Sequence, residues 1–174
     1  MKRIALILSV IVGCQVALVR SLFALTTPAY NQEKFYLIQF SNSKLYLTGG
    51  NDGANLTTQQ ATLESATDKQ LWKFVGTQSS LQLVNKAGQY AVYSTSASRL
   101  QGQTSPDASG WELTDGTTYW QLKWNGASGS QAYMNQWGGT GIGQTLGLWS
   151  SGDTNNQFVL IDPEDPDLPE FRTS

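Results

Sequence analysis

Residues 70–74 read Gln-Leu-Trp-Lys-Phe, and this short alternating stretch has two counterparts further along the chain. Residues 109–113 read Ser-Gly-Trp-Glu-Leu, and residues 156–160 read Asn-Gln-Phe-Val-Leu. The aromatic residues at their centres are about 40 to 47 residues apart: Trp72, Trp111 and Phe158. A repeat of this period indicates an architecture built from copies of one supersecondary unit. We therefore expect these three aromatic side chains in a shared core.

The segments before each of these aromatics follow one plan. Each unit opens on an alternating strand, at residues 35–40, 81–85 and 119–124. A second short strand follows, at residues 44–47, 89–93 and 131–134. Period-two alternation bounded by Gly, Asn and Ser is the signal of strands and hairpins. Three four-stranded units predict about twelve strands in an all-β, pseudo-threefold barrel capped by hairpins, because closure leaves no exposed sheet edge. A β-sandwich is the alternative fold.

The chemistry available to the chain is limited by its composition. It has 174 residues with no His, and 11 basic and 13 acidic residues leave a formal net charge of −2. Without His there is no Ser-His-Asp triad, no Cys-His dyad and no His-containing zinc site. The charge balance offers no basic face for nucleic acid, and no two acids stand out as the carboxylate pair of a glycosidase. We therefore expect a protein that is not an enzyme and needs no metal or cofactor.

The N-terminal region is typical of an exported protein. Residues 1–24 resemble a secretory signal peptide, with Lys2 and Arg3 before an apolar run. Cys14, the only cysteine, ends a stretch similar to a bacterial lipobox and is a candidate lipidation site. Cleavage after Ala24 is the alternative, and an uncleaved anchor is a third reading. Either cleavage site predicts an extracytoplasmic protein, secreted or held at the cell surface as a lipoprotein, with membrane contact only through the lipid anchor.

The remaining boundaries follow from composition. Residues 25–33 are predicted to be a linker, and residues 34–161 the folded domain. Residues 162–174 hold three prolines and five acids, so they are predicted to be an extended tail or a linker to further domains of a longer protein.

The repeat signature resembles that of a known family. Gln70-Leu71-Trp72 is similar to the Gln-x-Trp motif of ricin-B-type β-trefoil lectins. In the third unit, residues 133–135, a Gly-rich loop, residues 146–149 and residues 155–158 follow the order of elements in that family. Residues 133–139 also resemble ricin-like domains of secreted Bacteroidetes proteins. The resemblance covers about residues 34–161, and it implies a β-trefoil fold and a glycan or oligosaccharide as partner.

The resemblance also implies where a sugar would bind. The family has a sugar-orienting aspartate after the second strand, where this chain has Thr48 in the first unit, Ser94 in the second and Asn135 in the third. Only the third unit has an amide there, so it is the expected site. Sugars are held by a flat aromatic face and by directed hydrogen bonds. The candidate residues for these contacts are Asn135, Trp137, Trp149, Asp153, Asn155 and Asn156.

Two hypotheses of function remain at this point. In the first, the chain is a non-catalytic, lectin-like module in which Trp137 or Trp149 stacks on a sugar and Asn135 and Asn156 orient it. In the second, the β-trefoil has lost sugar binding and serves as a scaffold or spacer for protein contacts. The tryptophans would then be core residues, and the asparagines would cap turns. Exposure of Trp137 and Trp149 distinguishes the two hypotheses.

Overall fold

The computed structural model describes residues 30–115 and 119–164. Within them, twelve strands form three consecutive units of four. The first unit holds β1 (Tyr36–Phe40), β2 (Tyr46–Thr48), β3 (Thr57–Gln59) and β4 (Leu71–Thr77). The second holds β5 (Ser80–Asn85), β6 (Tyr90–Ser94), β7 (Arg99–Gln103) and β8 (Trp111–Asp115). The third holds β9 (Trp120–Trp124), β10 (Gln131–Gln136), β11 (Leu146–Ser150), a 3-10 turn (Thr154–Asn156) and β12 (Phe158–Ile161).

The first and last strands of the units close into a barrel. β1 pairs with β4, β4 with β5, β5 with β8, β8 with β9, β9 with β12, and β12 with β1, all antiparallel. The middle strands form three hairpins, β2–β3, β6–β7 and β10–β11. Each hairpin is joined to the first strand of its own unit. A six-stranded barrel capped by three hairpins is the β-trefoil arrangement, so the predicted fold is confirmed and the β-sandwich is excluded.

The core contains the three repeated aromatics, as predicted. Trp72, Trp111 and Phe158 have no exposed surface. A buried indole N–H needs an acceptor, and Nε1 of Trp72 donates to the carbonyl of Leu47 at 2.9 Å. In the second unit, Nε1 of Trp111 donates to the carbonyl of Ala91 at 2.8 Å. Leu47 and Ala91 therefore occupy equivalent positions on β2 and β6.

Cross-strand register relates the three hairpins residue by residue. The residues that pair with the first strands of the units are all tyrosines: Tyr46, Tyr90 and Tyr133. Across the hairpins these tyrosines face, in order, Gln59, Gln103 and Trp149. The three partners are therefore equivalent, and only the third unit has an aromatic ring there.

The folded body is wider than residues 34–161. Tyr30, in the predicted linker, is buried, stacks on Phe74 with ring centroids 5.0 Å apart, and donates its hydroxyl to the carbonyl of Gly76. Asp162, in the predicted tail, is also buried, and its carboxylate accepts a hydrogen bond from Nζ of Lys34 at 2.5 Å. Both residues are held by contacts distant in sequence, which composition alone does not reveal.

The predicted signal peptide and Cys14 lie outside the described residues, as does the tail beyond residue 164. Among the residues that are described, no helix is long and apolar enough to cross a membrane.

Candidate functional site

The surface of the third hairpin carries an exposed indole. Trp149 lies on β11 opposite Tyr133 of β10, and 38% of its surface is exposed. Side chains of neighbouring strands that face each other lie on the same side of a sheet. Trp149 and Tyr133 therefore lie on the same side of the hairpin. Because Trp149 is exposed, the core-packing alternative for it does not apply.

Trp137 is held in place by three contacts. A Cβ atom at Gly147 would lie only 2.8 Å from Cε3 of Trp137, so the ring packs directly on the backbone of β11. The guanidinium of Arg99 lies over the ring, with Cζ 4.8 Å from the centroid. The rings of Trp137 and Trp149 pack in a T-shaped arrangement, with centroids 5.5 Å apart and an interplanar angle of 81°. Trp137 is half-buried, and its contacts make it the support of Trp149.

Asn135 and Asn156 lie together inside the fold. Nδ2 of Asn135 donates to Oδ1 of Asn156 at 2.7 Å, and Nδ2 of Asn156 donates to the carbonyl of Ser150 at 2.6 Å. Asn135 is 4% exposed and Asn156 has no exposed surface. Ser150 directly follows Trp149, so this pair anchors the strand end that carries the exposed ring. Asn156 therefore has no surface with which to contact a ligand directly.

The same polar pair occurs in the first unit. Gln70 and Thr48 stand at the equivalent positions, and Nε2 of Gln70 donates to Oγ1 of Thr48 at 3.2 Å. In the second unit, the register places Val92 at the position equivalent to Thr48 and Asn135. The sequence reading that placed Ser94 at this position is therefore wrong by two residues, because β6 runs longer than β2 and hides the register.

Asp153 and Asn155 shape the turn between β11 and β12. Oδ1 of Asp153 accepts a hydrogen bond from the backbone N–H of Asn155 at 2.8 Å, which caps the 3-10 turn. Oδ1 of Asn155 accepts one from Nδ2 of Asn42 at 2.8 Å. Both residues are partly exposed, and among the described residues the second carboxylate oxygen of Asp153 has no hydrogen-bonding partner. That oxygen can accept a hydrogen bond from a hydroxyl group.

The Gly-rich loop between β10 and β11 is tied to the first unit. Oγ1 of Thr58 donates to the carbonyl of Gly141 at 2.9 Å, and the N–H of Gly143 donates to the carbonyl of Thr58 at 2.7 Å. Nε2 of Gln144 bridges the loop by donating to the carbonyl of Trp137 at 3.0 Å. Gly138 and Gly143 have φ values of 81° and 77°, which favour glycine. These contacts fix the loop beside Trp137.

Sequence reasoning missed two residues of this surface. Arg99 belongs to β7 of the second unit, and no local pattern links it to Trp137, which is 38 positions away. Tyr133 is visible in the repeat, but only the strand register shows that it lies beside Trp149. Among the described residues, no group of three or more His, Cys, Asp or Glu side chains could hold a metal ion.

Comparison with known proteins supports the fold through structure alone. No family model and no curated protein matches the sequence. ThreeFoil, a designed threefold-symmetric protein, is 22% identical and matches 74% of this chain and 98% of its own, with a TM-score of 0.63. The ricin B-like lectin of Macrolepiota procera, solved in complex with lactose, is 14% identical and matches 76% of this chain and 98% of its own, also at 0.63.

A longer protein contains the same architecture. The GlcNAcα1-4Gal-releasing endo-β-galactosidase from Clostridium perfringens is 15% identical and matches 74% of this chain, which spans only 32% of that enzyme, with a TM-score of 0.61. At these sequence identities, structural similarity establishes the fold of this chain but does not identify a ligand. The chain is therefore a β-trefoil, with the fold that ricin B-like lectins have.

Proposed function

We propose that this protein is a non-catalytic, glycan-binding module whose binding surface lies on the third hairpin. The observation that carries the proposal is the exposed ring of Trp149. Trp149 pairs with Tyr133 across the hairpin, and its ring packs against that of Trp137 with centroids 5.5 Å apart. An aromatic side chain that is rigidly held and partly open to solvent is suited to cover the apolar face of a sugar ring.

The polar part of the proposed site comes from the following turn. Its hydrogen-bonding groups are the open carboxylate oxygen of Asp153 and the partly exposed amide of Asn155, four and six residues after Trp149 along the chain. Asn135 and Asn156 set the position of this turn through their bonds to each other and to Ser150. Rigid positioning of this kind lowers the entropy lost when a flexible hydroxylated ligand binds.

The first and second units support a single site of this type. The positions equivalent to Trp149 hold Gln59 and Gln103, which offer no ring. One shallow site gives weak binding, and a millimolar dissociation constant corresponds to about 4 kcal/mol. A module of this kind gains affinity when it is linked to other binding or catalytic domains, so we propose that the natural partners are a glycan and further domains of a longer protein.

The test is a titration of tryptophan fluorescence with sugars, starting with lactose and extending to methyl glycosides of glucose, mannose and N-acetylglucosamine. We expect a saturable change with at least one of them. Trp149→Ala should weaken that binding by at least about tenfold, which is about 1.4 kcal/mol, while the melting temperature changes little because the ring is partly exposed.

Leu63→Ala is the matched control for this titration. Leu63 is 42% exposed in the first unit, so the variant removes an exposed apolar side chain away from the third hairpin. It should bind as the parent does. Equal binding by the Trp149→Ala and parent chains, or no response of the parent to any sugar, would contradict the proposal.

The second candidate function is a β-trefoil that serves as a protein-interaction scaffold or spacer. Burial of Asn135 and Asn156 favours it, because the amides expected to orient a sugar do not face solvent. Ile142, 60% exposed in the adjoining loop, adds apolar surface that a protein partner would cover. A folded parent chain that responds to no sugar would support this function.

We also propose that the protein is exported, on the evidence of Lys2, Arg3 and the apolar run that follows. Intact-mass measurement of the protein from its native host tests this. A chain beginning at Cys14 with added acyl mass indicates a lipoprotein, a chain beginning near residue 25 indicates free secretion, and a full-length chain in the cytoplasm contradicts export.

A further inference from the structure

A cleft separate from the Trp149 surface lies between the second and third units. Its volume is about 460 Å³, within the range of small-molecule sites. The hairpin β6–β7 forms one wall, and the β9–β10 connection forms the other. The side chains that carry the argument are Tyr93, Trp124, Ser128, Ser130, Gln131 and Leu148.

The cleft exists because one connection is longer than its counterparts. Five residues, 41–45, separate β1 from Tyr46 in the first unit, and four, 86–89, separate β5 from Tyr90 in the second. Eight residues, 125–132, separate β9 from Tyr133 in the third. The extra residues include Gly126 and Gly129, and both of them line the cleft.

An unpartnered indole donor lies in this cleft. Trp124 is 4% exposed, and no described residue accepts a hydrogen bond from its Nε1. A Cβ atom at Gly126 would lie 2.6 Å from that nitrogen, so the donor lies against a residue that also lines the cleft. By contrast, Trp72 and Trp111 both donate to backbone carbonyls. Nε1 of Trp124 is not among the fully enclosed side-chain atoms without a partner, so it is open to the cleft, where water or a ligand can accept its hydrogen bond.

In the first and second units, the residues equivalent to Trp124 do not leave an indole N–H without an acceptor. Trp124 directly follows Lys123, the residue that pairs with Tyr133, and by the same register Phe40 and Asn85 are its counterparts. Phe40 has no donor. Asn85 donates its amide to Oε1 of Gln89 at 3.2 Å and accepts the backbone N–H of Gln89 at 2.9 Å. Only the third unit leaves a donor open at this position.

The lining of the cleft selects a type of ligand. All the lining residues are uncharged, so charged ligands gain no ion pair there. The hydroxyls of Tyr93, Ser128 and Ser130 and the amide of Gln131 make no side-chain hydrogen bond to any described residue. The ring of Tyr93 and the side chain of Leu148 supply apolar surface between these groups. Such a mixture matches a saccharide ring, which has apolar C–H patches and a hydroxyl rim.

We infer that this cleft is a second binding site, for a neutral saccharide, in which Nε1 of Trp124 donates to a ring or hydroxyl oxygen and Tyr93 covers an apolar patch. The site is formed by different residues from the Trp149 surface and does not depend on it. The two sites together would make the module bivalent, which raises its affinity for a glycan that spans both.

The experiment is an NMR titration of the full chain with methyl glycosides of glucose, galactose, mannose and N-acetylglucosamine, each raised to about 50 mM because single sugar sites bind at millimolar strength. The indole N–H signals of the six tryptophans report each site separately. We expect saturable shifts of the Trp124 indole signal and of the backbone signals of Ser128 and Gly129 with one of these glycosides.

Two variants test whether the shift is direct binding. Trp124→Phe removes the donor and keeps a ring, and Phe40 at the equivalent position shows that the fold accepts Phe there. It should weaken binding in the cleft by about two- to tenfold, the effect of one hydrogen bond. Trp72→Phe is the matched control, because it also removes an indole donor and has Phe158 as its counterpart. It should leave binding in the cleft unchanged.

The outcomes for the two sites are separable. Shifts at Trp124 that persist in Trp149→Ala establish the cleft as an independent site, even where the Trp149 surface binds nothing. Shifts confined to Trp149 and its neighbours overturn the second site and leave the proposed function intact. Shifts at Trp124 that disappear in Trp149→Ala, or equal binding by Trp124→Phe and the parent, also overturn it.

Discussion

Nδ2 of Asn135 donates a hydrogen bond to Oδ1 of Asn156 over 2.7 Å, and both side chains are buried. Gln70 and Thr48 make the corresponding bond in the first unit at 3.2 Å. The first and third units thus share a side-chain hydrogen bond. It joins the second strand of the unit to the residue two positions before the closing aromatic. In the third unit the link also reaches Ser150, next to Trp149.

This relationship predicts the effect of truncating Asn156. Asn156→Ala leaves the buried amide of Asn135 without its acceptor, so the free energy of unfolding should fall by about 1–3 kcal/mol. Urea denaturation measures the change. Asn155→Ala is the control, because its side chain is partly exposed and bonds only Asn42, and it should change stability by less than about 0.5 kcal/mol. Equal effects of the two variants would show that the buried pair adds nothing.

Gly147→Ala should displace Trp137. The new Cβ would lie 2.8 Å from Cε3 of the indole, and overpacking of this kind lowers stability by about 1–3 kcal/mol. Near-ultraviolet circular dichroism should lose the signal of the coupled Trp137–Trp149 pair. In contrast, Gly129→Ala meets nothing within 4 Å and should be neutral or slightly stabilising. An unchanged spectrum in Gly147→Ala would refute the close packing of the indole on β11.

Gln136→Leu should stabilise the protein. Gln136 has no exposed surface, and neither atom of its side-chain amide bonds any described residue. Since an unpaired buried amide is unfavourable by about 1–3 kcal/mol, the nearly isosteric Leu should raise the free energy of unfolding by a similar amount. Gln70→Leu is the opposite case, because Gln70 bonds Thr48, Gln60 and Thr67, and it should destabilise. Destabilisation by both substitutions would show that Gln136 is satisfied in solution.

The Glu112–Lys123 pair predicts a dependence of stability on alkaline pH. Oε2 of Glu112 lies 2.9 Å from Nζ of Lys123, and this hydrogen bond raises the pKa of Lys123 above its ordinary value of 10.5. A group whose pKa is raised by folding stabilises the folded state fully at pH values below its pKa in the unfolded chain. This contribution is lost as the pH rises through its pKa in the folded protein. The pair is partly exposed, so its contribution is about 0.5 kcal/mol.

Glu112→Gln measures this contribution directly. The difference in free energy of unfolding between parent and variant should be constant from about pH 8 to 10 and shrink above the ordinary lysine pKa of 10.5. Guanidinium is unsuitable because it screens the pair, so urea is the denaturant of choice. A difference that stays constant to about pH 11.5 would mean that the ion pair does not form.

Much of the fold could be predicted from the repeat. Trp72, Trp111 and Phe158 recur at a spacing that only copies of one unit explain, and the alternating segments before them supply the strands. Large aromatic residues at equivalent positions of a repeat have one common place to be buried, the axis that the units share. The core and the β-trefoil fold followed from these local patterns.

The candidate site could be located to the third unit, but the roles within it could not be assigned. Trp149 stands in a strand and Trp137 in a Gly-rich loop, so local reasoning favours exposure of Trp137. In the structure Trp149 is the more exposed of the two, because Gly147 lets the ring of Trp137 pack on β11 and Arg99 covers it from the second unit. The predicted sugar-orienting amides, Asn135 and Asn156, are also placed by a contact between distant segments. They are buried and hydrogen-bond each other although 21 positions separate them in the chain.

The sequence by its own periodicity therefore determined which residues form strands and which aromatics meet in the core, since both depend on neighbours two residues apart. Tertiary structure alone decided which face of each ring meets water and which polar groups are left without partners. The open N–H of Trp124 and the cleft beside it are the clearest case. They depend on the length of one connection and on how two units pack, and contacts between distant segments leave no local pattern in the chain.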